Sequence, residues 1–281
     1  MKILLTNDDG YRAKGIKTLS KIMENYGEVT VVAPKEHQSG MAVAVDLGLK
    51  PLAYKDLGKD GSTSWSYLSG TPASCIKFGL NFPFKGNKPD IVLSGINHGS
   101  NATMGSLYSG TLGACMEASL NGILAVGVSL DDFFTQDPDF SAIEHYLPGI
   151  LDQLIAQPSQ REGIYYNINF PAIPQDQIKG IVVAHQGHGH WEKEFTPWNP
   201  ELWAAKGITM DILGRTGQIQ QEEGEEMYMM VGEFVDDNHD DALADHHKMA
   251  EGYITIVAHN IYSTDPEETE RLQSLGFNQE F

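Results

Sequence analysis

The chain is short of sulfur chemistry, of positive charge and of long apolar runs, and each shortage narrows what it can be. Only two cysteines, Cys75 and Cys115, occur in 281 residues. They lie in separate apolar, helix-like stretches without CxxC or Cys/His spacing, which excludes zinc fingers and predicts two reduced core thiols. Lysine and arginine number 19 against 38 aspartates and glutamates, a formal net charge of −19. No cluster of five or more basic residues offsets that field locally, which argues against long nucleic acid as a partner. Small anions escape the argument, because a bound divalent cation inverts the potential inside a site. No apolar stretch approaches the roughly 20 residues that span a bilayer, and the opening run Ile3-Leu4-Leu5 is too short for a signal-peptide core. No membrane partner and a cytoplasmic location are therefore expected. G-x-G-x-x-G and the P-loop are also missing, so dinucleotide and triphosphate binders of those types lose support.

What is present describes an ordinary globular chain with many tight turns: 41% hydrophobic residues and 29 glycines. A chain of this length buries roughly three quarters of its unfolded surface, enough for a core without covalent staples. Apolar strand-like runs at Ile3–Leu5, Val29–Val32, Ile91–Leu93, Leu124–Val128, Ile164–Ile168 and Ile181–Val183 are each bounded by Gly, Pro, Asn or Asp. Amphipathic stretches near Ile16–Tyr26, Pro72–Leu80, Leu107–Asn121 and Ala142–Gln157 separate them. This alternation predicts an α/β fold of βαβ units, with a mostly parallel sheet and helices on both faces. Ligands of such sheets bind beyond the carboxyl ends of the strands. From about Gln186 the texture changes, with acidic clusters, His188-Gly-His190 and Trp191, Trp198 and Trp203. The expected division is a catalytic domain over residues 1–185 and a C-terminal extension over 186–281. The extension is read as strands at Met227–Phe234 and Tyr253–Val257 and a helix at Pro266–Leu275, serving self-association.

Chemistry concentrates in the loops after the strands. Asn7-Asp8-Asp9-Gly10 follows the first strand and sets two carboxylates side by side. Two unit charges about 4 Å apart repel by about 4 kcal/mol at an effective dielectric of about 20, and a divalent cation reverses that term. Hard oxygen ligands favour Mg²⁺, Mn²⁺ or Ca²⁺. The same tetrapeptide serves equally well as a turn and helix cap, so taken alone it leaves both readings open. Asn97, past the strand Ile91–Leu93, can offer an amide oxygen to the same ion, and Ser39, in the loop after Val29–Val32, a hydroxyl. Ser109-Gly110-Thr111 opens a helix with free backbone N–H groups and small hydroxyls, the outline of a phosphate cradle or of plain capping.

Read together, these segments resemble the SurE family of survival-protein 5'-nucleotidases. The likeness runs through Ile3-Leu-Leu-Thr-Asn-Asp-Asp-Gly10, Ala33-Pro34 with Ser39-Gly40, and Ser69-Gly-Thr-Pro72. It continues in Ser94-Gly-Ile-Asn97, Tyr108-Ser-Gly-Thr111 and Asn167-Ile-Asn-Phe-Pro171. The resemblance implies a Rossmann-like three-layer sandwich and one divalent metal ion per subunit bound by Asp8, Asp9, Ser39 and Asn97. It implies phosphate held near Ser109, Gly110 and Thr111, hydrolysis of nucleoside 5'-monophosphates, and a homodimer or homotetramer. In that scheme Asp8 and Asp9 are also the catalytic pair. Departures, such as Arg12-Ala13-Lys14-Gly15 and Ser74, fall outside the metal set.

Three other readings compete. A phosphatase with an aspartate nucleophile also places acid after its first strand, but spaces its two aspartates by one residue, whereas Asp8 and Asp9 are adjacent. A nucleotide-binding module without catalysis keeps the same scaffold. A separate metal site can be drawn from His188, His190, Asp240, Asp241, His246 and His247, whose imidazoles suit zinc or nickel, although no H-E-x-x-H spacing fixes them.

Overall fold

A computed structural model describes every residue except 49, 133, 134, 136, 206–221, 276 and 278–281. The apolar runs become strands and the amphipathic stretches become the helices that cover them. In chain order these are β1 (Lys2–Thr6), α1 (Lys14–Met23), β2 (Glu28–Pro34), β3 (Tyr54–Asp60), β4 (Thr63–Leu68) and α2 (Pro72–Asn81). Then come β5 (Ile91–His98), α3 (Gly110–Leu120), β6 (Leu124–Asp131), α4 (Ser141–Ala156), β7 (Ile164–Pro171) and β8 (Gly180–Ala184). The remainder holds β9 (Gly189–Glu192), β10 (Phe195–Pro197), α5 (Pro200–Ala205), β11 (Tyr228–Met230), β12 (Glu233–Asp236), α6 (Asp245–Ala250), β13 (Tyr253–Asn260) and α7 (Pro266–Ser274).

Nine strands form one sheet in the order β3-β4-β2-β1-β5-β6-β7-β13-β8. From β4 to β7 every pairing is parallel. Alternate side chains of one strand therefore enter different layers. Ile3 and Leu5 pack with Leu19, Met23, Ile143 and Leu147 of α1 and α4, while Leu4 packs with Cys75 and Ile76 of α2 and Leu112 and Ala118 of α3. This is the expected three-layer α/β sandwich. Each of these fully buried aliphatic side chains contributes about 1.5–3 kcal/mol of transfer free energy. Both cysteines are buried and unpaired, as expected. No helix among the described residues is long and apolar enough to cross a membrane.

Two expectations are corrected, one hairpin was unforeseen, and the sheet continues past the expected boundary. The β3–β4 hairpin was not expected; β3 is an exposed edge strand with the polar sequence YKDLGKD and offers no apolar run. The helix expected from Leu107 starts at Gly110, because Ser109 caps it through a hydroxyl that accepts the Leu112 N–H at 3.1 Å, and a 3-10 turn occupies Thr103–Leu107. The strand expected over Met227–Phe234 is two strands with different partners, β11 on β10 and β12 on β9. Finally, the main sheet crosses the expected boundary after residue 185, since β13 lies between β7 and β8, antiparallel to the first and parallel to the second.

Candidate active site

From β1 the chain moves outward to β2 on one side, and β5 lies on the other, so the strand order reverses between β1 and β5. At that switch point a crevice opens beyond the carboxyl ends. Register places Thr6 of β1 beside Ser94 of β5, which brings Asp8 and Asp9 to the same edge as Asn97. Gln38 donates its backbone N–H to the Asp8 carbonyl at 2.7 Å, drawing the loop after β2 onto the pair and carrying Ser39 with it. Three loops that the sequence singled out thus converge.

Asp8 is buried and held from α3. Its Oδ1 accepts the Thr111 hydroxyl at 2.8 Å, and the Thr111 backbone N–H also reaches the carboxylate. The carboxylate therefore sits at the helix N-terminus, where the dipole favours negative charge. Gly110 makes this approach feasible, because a Cβ there would stand 3.0 Å from Asp8 Cβ and 3.2 Å from the Gln38 carbonyl. Even so, burial pushes the Asp8 carboxyl up from 3.8 to about 6, the Thr111 bonds offsetting only part. Burial raises the Asp9 carboxyl well above its usual range too, and the neighbouring Asp8 charge raises it further, while the His98 backbone N–H opposes both. Asp9 Oδ2 is buried without a hydrogen-bond partner.

A buried carboxylate beside a partly buried one, both resisting ionisation and the second with an orphaned oxygen, fits a divalent cation, which would supply the missing charge. Asn97 fits as well: its Nδ2 donates to the Gly99 carbonyl at 2.8 Å, leaving the amide oxygen as the ligating end. Ser39 stands exposed in its turn, adjacent in sequence to the Gln38 anchor. The expected cradle divides in two. Thr111 is turned to Asp8 and positions it, and the Ser109 oxygen caps α3, so the Ser109 hydroxyl proton and the Gly110 N–H are the groups of Ser109–Thr111 that could donate to an anion.

The sequence reading missed two histidines here. His37 Nδ1 lies 3.4 Å from Asp9 Oδ1, and His98 packs its ring toward Phe140 with Nε2 buried and without a hydrogen bond. Burial holds His98 below its usual pKa. His98 is the last residue of β5 and His37 lies three residues past β2, a position signal that was available but weak for single histidines. The other histidine set is not assembled as drawn. His190 pairs with Asp237 at 2.9 Å and His185 with Asp241 at 2.5 Å, whereas His246 and His247 meet Asp236. Trp191 packs edge-on to Phe234; the side chain of Trp203 lies outside the described residues.

The family model described as Survival protein SurE matches residues 3–193. A 5'-nucleotidase SurE of Cytophaga hutchinsonii is 43% identical over 194 residues, covering 69% of this chain and 73% of its own. One from Christiangramia forsetii is 35% identical over 258 residues, covering 91% and 89%. The crystal structure of a SurE protein from Aquifex aeolicus superposes with a TM-score of 0.76 at 26% identity, covering 98% of this chain and 99% of that one. Family match, relatives aligned along nearly the whole length and shared fold agree, and the chain belongs to the SurE family.

Proposed function

We propose that the chain is a metal-dependent 5'-nucleotidase that cleaves nucleoside 5'-monophosphates to nucleoside and phosphate at the β1–β5 switch point. The observation that carries the metal requirement is the adjacent pair of Asp8, buried, and Asp9, partly buried with its Oδ2 buried and unpartnered; the printed names of the relatives support the substrate class. Asp8, Asp9, Ser39 and Asn97 would hold one Mg²⁺ or Mn²⁺, with Ca²⁺ also suited to the oxygen set. When bound, the ion neutralises phosphate charge and lowers the pKa of water.

The protein's own groups divide the remaining work. Asp8, fixed by two donors from Thr111, cannot swing and serves as an anchored ligand. Asp9 has an unpartnered Oδ2 and the partly exposed His37 beside Oδ1, so it is the carboxylate through which a proton can leave the attacking water for solvent. The Ser109 hydroxyl and Gly110 N–H donate to the equatorial oxygens as negative charge spreads over them. A tethered Asp8 is also a poor covalent nucleophile, in keeping with the adjacent spacing.

The test is phosphate release from a panel of 5'- and 3'-nucleotides, polyphosphate and an aryl phosphate, with Mg²⁺, Mn²⁺ or chelator. Release from 5'-nucleotides that chelator abolishes is expected, and Asp8→Asn should lower kcat by more than roughly 100-fold with the fold intact. Silence across the panel, or full activity in chelator, would defeat the reading. Self-association as a dimer or tetramer is part of the proposal, supported by β8. That strand pairs only with β13 among the described residues and exposes Ile181 and Val183 at the sheet's end. Light scattering that returns a monomer would remove it.

A further inference from the structure

β12 ends at Asp236, paired with Gly189 of β9, and α6 begins at Asp245, so the intervening loop folds the first turn of α6 back onto the end of β12. His247 Nε2 then lies 2.7 Å, and His246 Nε2 3.5 Å, from one oxygen, Asp236 Oδ2. One donor atom of each of the three residues lies within 4.8 Å of the other two. Ligand atoms about 2.1 Å from a common ion in tetrahedral directions stand about 3.4 Å apart; the 3.5 Å contact already has that length, and the 2.7 Å contact reaches it by a small side-chain movement. His239 Nδ1 is 3.1 Å from the same oxygen, on a side chain 80% exposed that can turn to complete the set.

Both imidazoles are oriented from behind. His247 Nδ1 lies 2.8 Å from the Asp241 carbonyl, which accepts its N–H and holds the ring with Nε2 on Asp236 Oδ2, where an ion would take the place of the Nε2 proton. His246 Nδ1 faces Asp245 Oδ1 at 3.7 Å, and that fully buried carboxylate is fixed by backbone N–H groups of Thr103, Gly187 and His246. Phe234 stands edge-on to the His246 ring, and a Cβ on Gly187 would meet His246 Nδ1 at 2.4 Å, so the ring is packed in place. Backing of each ligating imidazole by a carbonyl or carboxylate is the arrangement that orients metal ligands.

An ordinary ion pair between Asp236 and His247 accounts for the 2.7 Å contact but not for His246. Both nitrogens of that ring are buried without a hydrogen bond, which buried polar atoms seldom tolerate. We propose that Asp236, His246 and His247 form a second cation site, for a borderline transition metal of the Zn²⁺ class, that clamps the β9–β12 ribbon to α6. Two nitrogens and one oxygen select such an ion over Mg²⁺, whereas the all-oxygen set at Asp8 does the reverse. Because Asp245 also holds the Thr103 N–H at the start of the turn leading to Ser109, the clamp braces the approach to the phosphate end of the active site.

The test is calorimetric titration of the untagged full-length protein with Zn²⁺, in excess Mg²⁺ so that the oxygen site is already filled, alongside melting curves with and without Zn²⁺. One Zn²⁺ per chain and a raised melting temperature are expected. His246→Gln and His247→Gln should each weaken binding by more than roughly tenfold and abolish the melting shift, while His188→Gln, outside the set, should leave both unchanged. No binding by the parent, or equal binding by the two glutamine variants, overturns the proposal. Should those variants fail to fold, Co²⁺ added to the parent decides: strong visible absorption of a four-coordinate ion supports the site, and only the weak spectrum of a six-coordinate ion overturns it. The readouts are metal content, melting and absorption, so they stand apart from phosphate release.

Discussion

Thr111 shows how one hydroxyl serves a neighbour rather than a substrate. Thr111→Val removes the donor to Asp8 at constant shape and should lower kcat by roughly 10–100-fold, as loss of a group that orients a metal ligand does, whereas Thr111→Ser should retain most activity. Steady-state kinetics at saturating metal separate the two. Asp8 carries a pH signature as well. A carboxyl that titrates higher in the folded state binds its proton more tightly there, so the metal-free chain is favoured at low pH. It loses about 3 kcal/mol as pH rises across the interval from 3.8 to about 6. In chelator, Asp8→Asn should therefore melt several degrees above the parent at pH 7 and level with it near pH 4; a variant that melts lower at pH 7 contradicts the burial argument. Among residues, the meeting of Asp8 and Asp9 with Asn97 at one sheet edge was legible, because the aspartates follow one apolar strand and Asn97 lies near the end of another. Thr111 stood out in the sequence as a cradle candidate but not as a partner of Asp8, 103 positions away. Asp245 was not legible at all, since its bond to Thr103 spans 142 residues and one acid among many in that stretch gives no signal.

At the level of elements, the site depends on how closely α1 can lie on β5. A Cβ on Gly15 would stand 2.1 Å from the Ile96 carbonyl, one residue before Asn97. Gly15→Ala must therefore push the helix away or displace the end of β5, costing about 1–3 kcal/mol of stability. Activity should fall with it, and denaturant unfolding together with kcat would show both; an alanine variant equal to the parent in each would mean that α1 is free to move. Helices and strands of the sandwich were legible wherever burial imposed a period, as in β1 and α4. β3 was not, because an exposed edge strand imposes none, and the start of α3 was placed early because capping by Ser109 is a local hydrogen-bond choice that apolar spacing does not reveal. Division of the C-terminal strand failed for a similar reason. Val231 bonds back to Glu194 at 2.7 Å, an exchange of partners that composition leaves unmarked.

For the whole molecule, residue 185 is no place to cut. A chain ending there lacks β13, which brings buried Ile254 and Val257 and pairs with β7 from Ile164 to Asn169. Such a fragment should lack a cooperative unfolding transition and aggregate, and a well-folded 1–185 fragment in calorimetry would restore the two-part division. The order β7-β13-β8 also sets a schedule for synthesis. About 80 residues separate the end of β7 from the start of β13, and at roughly 5–20 residues per second the ribosome takes about 4–16 s to deliver the missing strand. Throughout that interval the nascent chain displays an apolar strand edge to the crowded cell, so rapid capture by a chaperone would matter more to its yield than the stability of the finished enzyme.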